Sequence, residues 1–195
     1  MRQTMTNLIS TLRGFTNAGT ADYTIAGVSY WGDTDLQTVL DRYKTELIEI
    51  PLTARPTTTA GGTVVYKQYV APSKWMESTG SGGSAYFVIT DGLGNVQGTA
   101  LWSADYENGR ITFVSDQSGS ARYLTANAYD IYGAAADIWQ QKAAFYATQI
   151  DFSTDNHNIK RSHIVKQCEQ MALRYASLSD NTGSDMAITM RGDKR

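Results

Sequence analysis

The sequence predicts an α+β fold: two N-terminal helices and a long C-terminal αα-hairpin form a helical bundle, with an inserted small antiparallel β-domain and an extended C-terminal tail. Three observations carry this prediction. Apolar residues recur every three or four positions at both ends of the chain, as one face of a helix requires. Between them the period changes to β-branched and aromatic runs broken by glycine. Beyond residue 179 periodicity is lost. The expected organisation is N-terminal helices over 1–58, the β-domain over 59–124, the hairpin over 125–179 and the tail over 180–195.

The first helix is marked by Leu8, Ile9 and Leu12, and Asn17, Ala18 and Gly19 supply its stop. Thr34 with Gln37 three residues on reads as a capping box for a second helix. Leu36, Val39, Leu40, Tyr43 and Leu47 follow at helical spacing, and Pro51 and Pro56 end it. Residues 63–70, 85–90, 97–103 and 110–114 read as strands. Asn108-Gly109 predicts a two-residue type I′ hairpin, because that turn needs positive φ at both central positions. The stretch 78–84 (STGSGGS) has nothing to bury and is expected to be a mobile loop.

Thr125 is placed to cap a spine helix running to Ile150, about 25 residues and roughly 37 Å long at 1.5 Å per residue. Tyr132, Ala136, Trp139, Ala143, Tyr146 and Ile150 line one stripe of it, and Ile131, Ala134, Ile138 and Phe145 line a second. One partner helix cannot cover both stripes. The second is therefore expected to be a subunit interface. The remaining side carries Asp130, Gly133, Asp137, Gln140, Ala144 and Thr148. The last helix, 161–178, shows a seam of Ile164, Cys168, Met171, Tyr175 and Leu178, which fits a helix packed antiparallel on its predecessor.

The chain is 42% hydrophobic and 18% charged with a formal net charge of −2. These values exclude a wholly disordered acidic chain and a strongly basic histone-like one. No stretch approaches the roughly 20 apolar residues of a membrane span, and residues 1–13 lack a signal-peptide pattern. A soluble protein made in the cytoplasm, without membrane contact, is expected. A single cysteine, Cys168, can form no internal disulfide and has no metal-knuckle spacing. Low charge with 17 Gly, 12 Tyr and 4 Trp against 3 Pro suits a protein that works by contact.

Chemical signals are weak throughout. His157 and His163 lie six apart without the i, i+4 pairing that puts two imidazoles on one metal, and polar loop or surface positions explain them better. Asp151, Ser153, Asp155 and Asn156 resemble the start of a calcium loop, but its sixth position is Asn156 and its twelfth is Ser162, where glycine and a bidentate acid are required. Gly61-Gly62 and Gly92-Leu93-Gly94 are followed by neither Gly-Lys-Ser/Thr nor a helix start, so they read as turns. Cys168 sits on an apolar seam, where a small hydrophobe is wanted. Arg191-Gly192-Asp193 spells an integrin-type tripeptide, best taken as coincidence. No enzyme, cofactor or metal is expected; a hydrolase drawing acids from Asp91, Asp105 and Glu107 would need a pocket that gathers them. Lys160, Arg161, Lys166 and Arg174, with Arg191, Lys194 and Arg195, are diluted by Glu169, Asp180, Asp185 and Asp193, and suit an acidic protein surface as well as nucleic acid. Tyr66, Tyr69, Trp75, Tyr86, Trp102 and Tyr106 would support a host- or carbohydrate-contact module only if exposed together on one face; alternation on strands makes them core.

The runs AYDIYGAAADIWQQKAA (128–144), DFSTD (151–155), KRS (160–162) and MALRYA (171–176) resemble the helical hairpin of tailed-phage head–tail connector proteins, the adaptor or head-completion family. Residues 8–22 (LISTLRGFTNAGTAD), YWGD at 30–33 and LQTVLDR at 36–42 resemble the first helices of the same group. Together these segments cover about two thirds of the chain. The resemblance implies a connector-type bundle in the virion neck: a dodecameric homo-oligomeric ring that docks on the portal protein, meets a downstream neck or tail protein and extends the channel for double-stranded DNA. It further implies portal contact through the chain end, Met186, Ala187, Ile188, Thr189, Met190, Arg191, Lys194 and Arg195. On this reading Asp130, Asp137 and Gln140 face the channel, where acids would repel phosphate. The roughly 60-residue β-insert departs from the compact family pattern. A stopper or tail-completion ring protein is the nearest alternative, and stoichiometry separates the two.

Overall fold

The computed structural model describes residues 1–19, 22–25, 27–79, 86–148, 152–154, 157–159 and 161–179. Most of the loop expected at 78–84, the helix end at Ile150, and the whole tail with its eight portal-contact residues lie outside the described residues.

Helix α1 (Thr6–Thr16) buries Leu8, Ile9 and Leu12 and stops where Asn17 adopts φ 47°, its N–H returning to Arg13 O. Asparagine tolerates this left-handed cap better than most residues. A short hairpin of β1 (Tyr23–Ile25) and β2 (Val28–Tyr30) leads to α2 (Asp33–Arg42). Its start differs from the expected capping box at Thr34: Asp35 Oδ2 accepts from Gly32 N–H at 2.9 Å, two residues earlier. Asp33 and Asp35 also place negative charge on the positive end of the helix dipole.

The second helix ends sooner than its apolar spacing suggests. Residues 44–51 form strand β3 (Lys44–Pro51), so Leu47 points into a β-core. β4 (Thr53–Thr58) follows with Pro56 inside it; it is an outermost strand, where a missing N–H costs no ladder bond. Next come β5 (Val64–Val70), β6 (Phe87–Asp91), β7 (Trp102–Asp105), β8 (Arg110–Phe113) and β9 (Arg122–Tyr129). The strands form two antiparallel sheets, in the orders β3-β9-β6 and β4-β5-β8-β7. The sheets share one core that includes Leu47, Tyr69, Phe87, Trp102, Ile111, Phe113 and Leu124. The β-layer thus spans 44–129 and brackets the expected insert on both sides. β3 carries a bulge between Leu47 and Ile50, with Glu49 at φ 49°.

The Asn108-Gly109 turn is longer than a two-residue hairpin. Register closes at Asp105↔Arg110, leaving 106–109 in the turn. Asp105 accepts from Asn108 N at 3.1 Å and from its Nδ2 at 2.9 Å. Gly109 takes φ +66° against the 71–75 segment, where a Cβ would lie 2.3 Å from Ser73 O. Tertiary docking, not the local I′ preference, sets this turn.

Thr125, expected to cap the spine helix, lies inside β9. Leu124, Ala126 and Ala128 alternate inward and make β9 the central strand between β3 and β6. Helix α3 (Ile131–Ala147) starts at Asp130, whose Oδ1 accepts from Gly133 N at 2.9 Å. It has 17 residues, so it spans about 25 Å, not 37. A small hairpin, β10 (Phe152–Thr154) with β11 (His157–Ile159), connects it to α4 (Arg161–Leu178), whose bounds match the sequence expectation. The two helices are antiparallel: Ser179, just past α4, donates to Asp130 at the head of α3. A second core joins α1, α2 and α3 through Met5, Leu8, Leu12, Leu36, Leu40, Ile131, Ala134 and Ile138.

Candidate functional site

α3 is the element on which function was expected to turn, and its surroundings correct that expectation. Ile131, Ala134 and Ile138 are fully buried by α1 and α2 of the same chain, so they are not available to a neighbouring subunit. Phe145 stacks on Tyr23 with centroids 3.9 Å apart and planes 6° off parallel. Both apolar stripes are covered because three helices, not one, surround α3. Apolar spacing measures how wide the hidden surface must be; it does not say which segment hides it.

The polar side of α3 is also used within the chain. Asp130 is the helix cap just described, and Gly133 is held close to it: a Cβ there would approach Asp130 Oδ2 to 2.6 Å and the Tyr43 ring to 2.9 Å. Asp137 pairs with Arg42 of α2 at 3.1 Å and accepts from Gln141 Nε2 at 3.0 Å. Both carboxylates are therefore committed to internal bonds, which removes the reason for assigning them to a channel wall. Of the three expected channel residues, Gln140 is the exposed one.

Lys142 was not anticipated. It occupies the +4 step from Ile138, on the stripe read as apolar, and that charge on a covered face was the available signal. Its side chain is 6% exposed, and its ammonium donates to Thr16 O at 2.9 Å, Asn17 O at 3.3 Å and Asp22 Oδ2 at 2.5 Å. Carbonyls at a helix C-terminus have no intrahelical donor, and this cation meets two of them at the end of α1 while lying against the Trp139 ring. Trp139 Nε1 donates to Phe15 O at 3.1 Å beside it.

A second polar centre lies where the β-sandwich meets the helices. Glu77 is fully buried, yet four donors reach its carboxylate: Arg2 Nε at 3.1 Å, Thr4 Oγ1 at 2.5 Å, Asn127 Nδ2 at 3.3 Å and Tyr129 OH at 2.7 Å. A buried charge persists only when paired and hydrogen-bonded in this way. Arg2 also pairs with Asp41 of α2 at 2.5 Å. Burial, and then the bond to Glu77, hold the Tyr129 proton on well above the usual phenol range. Glu77 and Arg2 are scattered in sequence and belong to no periodic pattern, so no local signal announces them.

Next to this centre a cleft of about 210 Å³ is lined by Thr4, Asn7, Leu8, Met76, Tyr106 and Glu107 among others. Of the three acids considered for hydrolysis, Asp105 and Glu107 border it, but Asp91 does not. Asp91 instead accepts from the backbone of Leu93 and Asn95 and from Asn95 Nδ2, and these bonds hold its carboxyl below the usual range. Asp105 is likewise lowered, by its bonds to Asn108. The two glycine pairs lie in turns, with Gly62 and Gly94 at positive φ. Cys168 is buried against α3, and burial pushes its thiol up. His163 is exposed, and among the described residues no group of His, Cys, Asp and Glu is placed to hold a metal ion. Tyr69 and Trp102 are core and Trp75 packs edge-on to Phe15 and Tyr132, so the β-domain aromatics are not gathered on one exposed face. No helix of the described residues is long and apolar enough to cross a membrane. No family model, curated protein or solved structure matches the chain.

Proposed function

We propose that this chain is a structural subunit of a phage neck: a ring-forming head–tail adaptor that docks on the portal and extends the DNA channel toward the tail. One observation carries the reading. The segments that resemble the adaptor family lie far apart in sequence, at 8–22, 30–42, 128–144 and 171–176, and they pack together: Leu8, Leu12, Trp31, Leu36, Leu40, Ile131, Ala134 and Ile138 share one core, and Tyr175 packs against it. A resemblance arising by chance in scattered runs has no reason to select the members of a single packing unit.

The subunit contact in this proposal moves from α3 to α4. Among the described side chains of α4, Cys168 and Ala172 are buried, whereas Ile164, Leu173 and Leu178 are exposed, Leu173 at 72%. A heterologous interface that closes a ring needs such a surface on one side of each subunit. The chain end, 180–195, is the portal-binding element in this reading, since a segment with the short apolar run 186–190 ahead of basic residues can add to a partner's sheet.

The test is the native mass and negative-stain image of the purified full chain, alone and with the portal ring of the same virion. A twelve-membered ring on the portal supports the adaptor; a six-membered ring indifferent to portal transfers the chain to the stopper or tail-completion class. Removing residues 180–195 should leave the circular dichroism spectrum and melting curve unchanged while abolishing portal binding. Undiminished binding of the truncated chain refutes the role given to the tail.

A further inference from the structure

We infer that residues 2–4 form a strap that fixes the angle of the β-sandwich on the helical core, with Arg2 as its bolt. The inference stands on the fold alone and does not depend on the neck assignment.

The covalent connection between the two parts is narrow. The chain leaves the helices at Tyr43 and enters β3 at Lys44; it leaves β9 at Tyr129 and re-enters the helices at Asp130. Lys44 and Tyr129 are register partners, and Asp130 N–H donates to Tyr43 O at 3.0 Å, so both crossings run side by side as one two-strand stalk. A stalk of two paired strands resists stretching but constrains twist and tilt weakly, so orientation has to be set by contacts away from it.

Two braces stand out among the described residues. One is apolar: Trp75, on the segment between β5 and β6, packs against Phe15 and Tyr132 of the helical side. The other is the strap, which reaches both parts. Toward the helices, Arg2 N–H donates to Gln37 Oε1 at 2.7 Å, and its guanidinium pairs with Asp41. Toward the sandwich, the same guanidinium donates to Glu77, Thr4 Oγ1 donates to Glu77, and Thr4 O accepts from Ser78 N at 3.2 Å and Ser78 Oγ at 2.9 Å. Arg2 thus spans two carboxylates on opposite sides of the junction, a geometry that the forked guanidinium serves and a lysine ammonium does not.

The strap is accessible from its outer end. Its outer half is open to solvent, with the side chains of Arg2 and Asp41 31% and 34% exposed, while Glu77 at the inner end has none of its surface exposed. Ions and water therefore compete for the outer pair while the inner carboxylate keeps Asn127 and Tyr129 as donors after the strap has left.

The experiment uses the full chain with spin labels on Thr38→Cys in α2 and Thr57→Cys in β4, both exposed; Cys168 is buried and stays unlabelled. Arg2→Ala alone strands the Glu77 charge, so the informative variant is Arg2→Ala with Glu77→Gln. The parent should show one narrow interspin distance and the double variant a broadened or displaced one, with exchange of the Ser78 amide faster by about tenfold or more and α3 amides unchanged. Arg2→Lys should give an intermediate distribution. An unchanged distance distribution in the double variant overturns the proposal, as does an exchange increase spread evenly over sandwich and helices.

Discussion

Replacing Lys142 by methionine isolates the contribution of one buried cation to the helical core. Methionine keeps most of the aliphatic stem, so packing against Trp139 is retained and the lost quantity is polar. The variant deprives Thr16 O and Asn17 O of their donor and leaves the Asp22 carboxylate without its cation. Removing one partner of a buried pair costs about 3–5 kcal/mol. Asp22 retains 18% exposure and rehydrates in part, which sets the expected loss toward the lower end, about 3 kcal/mol. For a chain of this length each kcal/mol lowers the midpoint by about 2–4 °C, so Tm should fall by about 6–12 °C. Urea and thermal unfolding followed by far-ultraviolet circular dichroism measure both quantities. Adding Asp22→Asn removes the stranded charge and should recover about 1 kcal/mol. A loss below about 1 kcal/mol for Lys142→Met would refute the argument that this lysine closes the end of α1.

Other outcomes follow from single contacts. Gly109→Ala puts a Cβ 2.3 Å from Ser73 O at a positive φ, and should cost at least about 2 kcal/mol in urea unfolding. Asp130→Ala removes the cap of α3 and the acceptor of Ser179, for a loss of about 1–2 kcal/mol on the same assay. Burial raises the Tyr23 phenol to about 12 and lifts Tyr129 further, against an ordinary value of 10.0. The folded state therefore keeps protons that the unfolded chain gives up above pH 10: stability is fully present below that pH and is lost as pH rises toward 12, and Tyr23→Phe should flatten the decline in melts between pH 8 and 11.5. Cys168 should react with a thiol reagent at least about a hundredfold more slowly in the native protein than in urea, since reaching it requires opening of the α3–α4 hairpin.

Sequence patterns were informative where one physical term dominated. The bounds of α4 were readable because Cys168, Met171 and Tyr175 recur at steps of three and four on its packed side, and β8 because Ile111 and Phe113 alternate with Arg110 and Thr112. Errors fell where two patterns coincide. Leu47 continues both the helical spacing from Leu36 and the inward alternation of β3, and pairing with β9 decides between them. Ala126 and Ala128 are strong helix formers placed at inward strand positions, which moved the expected start of α3 five residues too early. The second stripe on α3 is hidden surface, but its cover is α1, α2 and Tyr23, all far earlier in the chain. Long-range coverage of this kind leaves no trace in local spacing. The same holds for the polar centre at Glu77, whose partners Arg2, Asn127 and Tyr129 come from the N-terminal segment and the end of β9.

The outer strands β3 and β4 have a consequence for life among many identical copies. An uninterrupted, flat border invites another molecule to zip on by its main chain, and growth of that sort has no natural end. Here one border is bent where Ile48 and Glu49 together oppose a single residue of β9, and the other lacks a donor at Pro56. Crowded neighbours are thereby denied an open-ended hydrogen-bonded weld along these two margins and must meet through shape and charge, contacts that can stop at a fixed number of partners.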